Sequence, residues 1–215
     1  MSFLQQLKSQ AQDLQAKEGQ VVQHLDAHVT ATEQACQRVW HYLSDLAAQL
    51  NIIQPASRDI SLDGKHKWPA MKLSDFRFDA RKKILRQREV TEHLALGWRI
   101  VPVAPTRERG RVSVNFPPEL ERVENRLRAG KILHERLEQR HPDTHKLLAV
   151  VFEHDLAVRA GMVFTPDHDQ ARMGVRVMCV NGLVTTQVDV PVSQIGTAWL
   201  DDLAKAVVGQ PSSWA

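Results

Sequence analysis

No proline occurs before Pro55, and apolar side chains recur at helical spacing through nearly all of the preceding chain. Leu4, Leu7, Ala11 and Leu14 follow a 3-4-3 rhythm. It resumes at Val22, Leu25, Val29, Val39, Leu43, Leu46, Leu50 and Ile53, with Thr32 and Cys36 filling the positions between. A 3-4 alternation of this kind is the seam of a coiled coil. At the rise of an α-helix the stretch from Ser2 to Ile53 would reach roughly 75 Å, more than a small domain can cover. Such a helix needs a partner for its apolar stripe, and that need constrains everything after it.

The stripe changes phase once. The heptad set by Leu4 and Leu7 places Glu18 in the seam, and the seam instead resumes at Val22, eleven residues after Ala11. That is a four-residue stutter, which relaxes the left-handed supercoil. Gly19 lies inside it, where a helical glycine costs about 1 kcal/mol against alanine, so a bend is expected there. Polar Lys8, Gln10, Gln15 and Lys17 flank the first half, which suits a two-stranded seam. In the second half Ala35, Trp40, Tyr42 and Ala47 widen the apolar face towards that of a helix packed on a larger body. The reading is a helix over 1–54 that pairs through its first half and is buried through its second.

The remainder, 55–215, reads as one α+β domain with an antiparallel sheet covered by helices. Pro55, Ser57, Asp59 and Gly64 mark a turn-rich connection that ends the helix. A short strand is expected at Ile60–Leu62 and another at Met71–Phe78, with Phe76 and Phe78 facing away from Leu73. The stretch 79–92 fits either a short helix or a turn between strands. Alternation from Leu94 to Val103 and again at Val112, Val114 and Phe116 predicts a hairpin. Phe116-Pro117-Pro118-Glu119 opens a middle helix drawn from about 117 to about 141, where Pro142 stops it. The run Leu147–Phe152 suits a strand buried on both faces. Three further strands follow, with Asn181-Gly182 as the strongest turn signal, making a four-stranded meander. A last helix over about 194–208 carries Trp199, Leu200 and Leu203, with Trp214 as an anchor packing back.

Charge is unevenly spread. The net formal charge is only +3, yet Lys65–Arg111 holds thirteen Lys or Arg against five acids. Arg81, Lys82, Lys83, Arg86, Arg88, Arg107, Arg109 and Arg111 are therefore candidate polyanion-binding residues, and nucleic acid is a candidate partner. Neither aromatic interleaving nor zinc-ligand spacing accompanies the charge, so a solvated basic face is the competing account.

Candidate chemistry is sparse. Asp167-His168-Asp169 and Glu153-His154-Asp155 read as polar turns rather than metal sites, and Pro142 splits His141 from His145. There is no G-x-S-x-G, G-x-G-x-x-G or phosphate-binding loop, and nothing calls for a cofactor. Cys36 and Cys179 have no framework or ligand spacing and suit two reduced thiols in a cytoplasmic protein. The start of the chain lacks the pattern of a signal peptide, and no apolar run approaches the ~20 residues needed to cross a bilayer, so no membrane role is expected. The function expected is non-catalytic. The protein would be an oligomeric assembly or adaptor protein that self-associates through Leu4, Leu7, Leu14, Val22, Leu25, Val29, Val39, Leu43, Leu46 and Leu50 and presents its domain to a partner protein. Nucleic-acid association is the second reading, and an enzyme or small-ligand binder without a short motif is the third.

Overall fold

The computed structural model describes the backbone of residues 3–104, 106 and 108–214, and the side chains of 5, 8, 23–104, 106 and 108–214. Helix α1 runs Phe3–Ile53. The side chains of Leu4, Leu7, Ala11, Leu14 and Val22, and the bend expected at Gly19, lie outside the described residues. From Val29 to Leu50 most of the expected stripe is buried: Val29, Thr32, Ala35, Cys36, Val39, Leu43, Ala47 and Leu50 all face the core, Leu46 is half-buried, and Ile53 at the helix end is exposed. Each buried Val or Leu among them contributes about 1.5–3 kcal/mol of transfer free energy. The flanking side chains follow the expected widening, with Tyr42 half-buried and Trp40 edge-on to Phe78 at 5.2 Å.

Five antiparallel strands form the sheet beneath α1, in the order β1-β2-β6-β7-β8. They are β1 (Met71–Leu85), β2 (Arg88–Pro102), β6 (Val158–Asp167), β7 (Arg172–Met178) and β8 (Thr185–Pro191). The ambiguous stretch 79–92 is the tip of the β1–β2 hairpin, where Arg86 and Gln87 both take positive φ (48° and 65°) as a type I′ turn requires. The register slips between Ser74 and Arg77, with Asp75 at φ 57°. This β-bulge shifts the pleat by one residue and puts Phe76 on the core face with Met71 and Leu73, not on the opposite face as plain alternation predicts.

The expected β2–β3 hairpin does not form. Strand β3 (Gly110–Val114) belongs to a second, three-stranded antiparallel sheet of order β3-β5-β4. Its centre is β5 (Leu147–His154), so the meander contains three strands of the first sheet and not four. Strand β5 is buried on both faces at Val150, Val151 and Phe152, whereas Leu147 and Leu148 are about half exposed. The middle helix is also shorter than its sequence predicts: α2 spans Pro117–Ala129, and residues His134–Arg140 form β4. Lys131 stops the helix in a left-handed conformation (φ 47°), and the Ile132 and Lys131 N–H groups close onto the Leu127 and Arg128 carbonyls at 3.0 and 3.1 Å. That is a Schellman ending. Charged residues that would also suit a helix are drawn into a strand because the edge of apolar β5 must be paired.

Ile60 and Leu62 are buried as loop and form no strand. A 3-10 turn at Val192–Gln194 precedes α3 (Thr197–Val207), which packs beside α1; Tyr42 donates to Asp201 at 2.7 Å. Trp214 packs edge-on against Trp199 at 5.1 Å, the anchoring contact expected. Both cysteines are buried and free. Among the described residues, no helix is long and apolar enough to cross a membrane.

Candidate functional site

Side chains alternate across a strand, so the residues between core positions share the sheet face turned away from α1. On β2, Leu94, Leu96, Trp98 and Ile100 are buried, which sends Gly97 and Arg99 outward. On β6, Val158, Ala160 and Met162 are buried and Arg159 and Gly161 point outward. The register sets Arg99 directly opposite Arg159 and Gly97 opposite Gly161. Two arginines thus stand side by side, next to a row that carries no side chain. They border a cleft of about 540 Å³, whose β1 wall carries Asp75 and Arg77.

The other wall comes from the link between α2 and β4. The Arg159 N–H donates to the Gly130 carbonyl at 2.9 Å, and the Asp155 N–H donates to the Leu133 carbonyl at 2.9 Å. These bonds hold Lys131, Leu133 and Asp155 over the sheet as the cleft's rim. Lys131 occupies the position after α2 that glycine usually fills, because a left-handed backbone costs a residue with a Cβ about 1–2 kcal/mol.

Four cations and two carboxylates line the cleft. Asp75 is matched by Arg77 at 2.9 Å, and Asp155 by Arg109, which immediately precedes β3, at 3.6 Å. Among the described residues the guanidinium groups of Arg99 and Arg159 and the ammonium of Lys131 make no ion pair or side-chain hydrogen bond. Like charges directly opposite on a sheet are destabilising, so this pair is held against a local electrostatic cost.

The basic residues singled out from the sequence do not gather here. Arg81, Lys82, Lys83, Arg86 and Arg88 lie at the far end of the β1–β2 hairpin, and Arg88 and Arg99 are roughly 36 Å apart along β2. Arg81 faces Asp79 at 4.0 Å, Lys82 pairs with Glu89 at 2.7 Å, Arg86 with Asp169, and Arg88 with Asp26 of α1 at 3.2 Å. Arg109 bonds Glu135 at 2.6 Å, Arg111 borders a separate pocket of about 180 Å³, and Arg107 lies outside the described residues. Sequence density of charge by itself does not lead to this cleft. Arg159 and Lys131 lie beyond the basic stretch; the β2–β6 pairing brings Arg159 to Arg99, and the Arg159–Gly130 bond brings Lys131. The alternation of β2 alone was enough to place Arg99 outward.

Two histidines read as turn residues are buried. His168 Nε2 lies 2.8 Å from Glu33 Oε1, and the same carboxylate accepts the Thr91 N–H at 2.9 Å and the Thr91 hydroxyl at 3.1 Å. This cluster ties α1 to β2 and to the β6–β7 turn. Burial, and then the Glu33 charge, push the Cys36 thiol beside it up to about 12, which keeps it protonated and unsuited to nucleophilic attack. His154 stacks on Trp68 at 5.0 Å, and burial holds its pKa below the ordinary value. Asp63 closes its loop by accepting the Lys65 and His66 N–H groups at 2.8 Å each. No metal-binding cluster of three or more His, Cys, Asp or Glu occurs among the described residues. Comparison with protein families, with curated proteins and with solved structures finds no match to this chain.

Proposed function

We propose that the protein is a cytoplasmic, non-catalytic assembly or adaptor protein that self-associates through α1 and presents the outer face of its five-stranded sheet to an acidic partner. The observation that carries the reading is the division of α1. Val29, Val39, Leu43 and Leu50 are consumed by the chain's own core, and Leu25 and Leu46 are half-buried. The helical backbone nevertheless continues N-terminal of Val29 to Phe3, a further 26 residues or roughly 39 Å. Its sequence there carries the narrow stripe of Leu4, Leu7, Leu14 and Val22, which suits a seam between copies. Two protonated, buried thiols and the sparseness of short catalytic motifs support a binding role over a chemical one.

Sedimentation equilibrium of the full chain tests the self-association. The expected result is a discrete oligomer at micromolar concentration that a Leu7→Glu, Leu14→Glu double variant dissociates without unfolding the domain. A wild-type monomer with an intact helix by circular dichroism overturns the reading.

A further inference from the structure

We infer that Arg99, Arg159 and Lys131 form a subsite for a single phosphomonoester dianion. Three cations converge on one cleft with no carboxylate partner of their own among the described residues. Arg99 and Arg159 come together through the β2–β6 register, and Lys131 is brought to them by the bond from the Arg159 N–H to the Gly130 carbonyl. Each component departs from what local structure prefers. The arginines are like charges placed directly opposite. Lys131 holds a left-handed backbone suited to glycine, and Asp75 sits in a β-bulge on the facing wall. Departures of this kind gather at functional sites, where a ligand offsets what the empty fold gives up.

The chemistry of the subsite selects the ligand. Arginine presents a planar fork that grips two oxygens of one phosphate, and lysine adds a mobile point charge. Three such groups match the two negative charges and three free oxygens of a phosphomonoester better than a single carboxylate. A continuous phosphate backbone fits poorly, since Asp75 and Asp155 line the same cleft and would face the next phosphate. The cleft volume, about 540 Å³, lies within the ~300–1,000 Å³ range of small-ligand pockets. Gly97 and Gly161 leave the floor beside the arginines free of side chains, and Leu133 and Ala157 offer apolar contact to whatever carries the phosphate. The carrier is a small organic ester or a phosphorylated side chain of a partner protein. The subsite belongs to the domain and does not depend on helix self-association.

Titration calorimetry of the full-length protein tests the subsite with four probes: inorganic phosphate, glucose 6-phosphate, a phosphoserine peptide with its unphosphorylated counterpart, and a single-stranded RNA oligonucleotide. Binding of phosphate or either ester with Kd of about 1 mM or tighter is expected. Arg99→Gln and Arg159→Gln should each weaken it at least about tenfold, and Lys83→Gln at the distant hairpin tip should leave it unchanged. Both arginine variants should melt at or above the wild-type temperature, because each removes a like-charge contact; an arginine with a merely structural role would lower it. Affinity should fall as pH drops through about 6, where the ester loses its second charge. The tighter of the two esters identifies the carrier, and either result supports the subsite. Two results overturn it. One is no binding of phosphate or either ester. The other is RNA binding weakened equally by Lys83→Gln and Arg159→Gln, which would mean a diffuse polyanion surface.

Discussion

Replacing Lys131 by glycine should stabilise the protein relative to replacing it by alanine, while both changes damage the cleft equally. Both variants lose the same ammonium group, so the charge near the end of α2 is matched between them. The difference left is the backbone at φ 47°, held by the bonds from Lys131 and Ile132 to the Arg128 and Leu127 carbonyls. A left-handed residue with a Cβ costs about 1–2 kcal/mol, and glycine returns about 0.5–1 kcal/mol of that through the entropy of its unfolded chain. A net gain of about 0.5–1 kcal/mol for Lys131→Gly over Lys131→Ala follows. In a chain of 215 residues 1 kcal/mol corresponds to roughly 2–4 °C in Tm, so a rise of about 1–4 °C is expected. Urea unfolding followed by tryptophan fluorescence should give the same ranking with an unchanged slope. Phosphate binding should be weakened to the same degree in both. Equal stability of the two variants would refute the claim that position 131 holds a strained backbone, and with it one of the reasons for regarding the cleft as functional.

Other outcomes follow from the contacts that hold α1 to the sheet and from the loop beside α2. Glu33→Ala strips the partner from the buried His168 ring and the Thr91 N–H, at about 1–3 kcal/mol for each group left unsatisfied, and a loss in urea unfolding below 0.5 kcal/mol would mean the cluster does not tie the helix down. Thr32 is fully buried in α1, and among the described residues its hydroxyl has no hydrogen-bond partner, so Thr32→Val should raise stability by about 1 kcal/mol, measured in the same assay. At Asp63 burial opposes ionisation, but the His66 N–H and ring, the Lys65 N–H and the Ser61 hydroxyl outweigh it and hold the carboxyl well below its ordinary range. Its folded pKa is depressed, so its contribution is fully present above about pH 4 and is lost as pH falls further. Asp63→Asn should therefore be less stable than wild type at pH 7, with the gap closing in melts taken below pH 4. The pKa of His154 is also depressed, chiefly by burial, and the stability linked to its neutral ring should decline as pH falls through about 6.5, a slope that His154→Phe removes.

Periodicity carried far because it depends only on the chain's own geometry. The stripe from Val29 to Leu50 repeats at the pitch of the α-helix, and the alternation of Leu94, Leu96, Trp98 and Ile100 repeats at the pleat of a strand. Each is therefore readable without knowing its neighbours. The α+β class and the buried proximal half of α1 were legible in this way. Strand partnership was not, because pairing is a long-range choice that leaves no periodic mark. Gly110–Val114 suits a hairpin with β2 as well as an edge beside β5, and His134–Arg140 suits a helix as well as a strand. Both were decided by the need of apolar β5 for two hydrogen-bonded neighbours. A single-residue bulge at Asp75 was enough to reverse the facing of Phe76. The cleft depends most of all on tertiary structure. Arg99, Lys131 and Arg159 are dispersed along the chain, and only the β2–β6 register and the Schellman ending of α2 set three unpaired cations around one volume. By itself the sequence determined which faces must be buried; the tertiary structure decided which charges are left without partners, since ion pairing depends on distances that only the assembled sheets define.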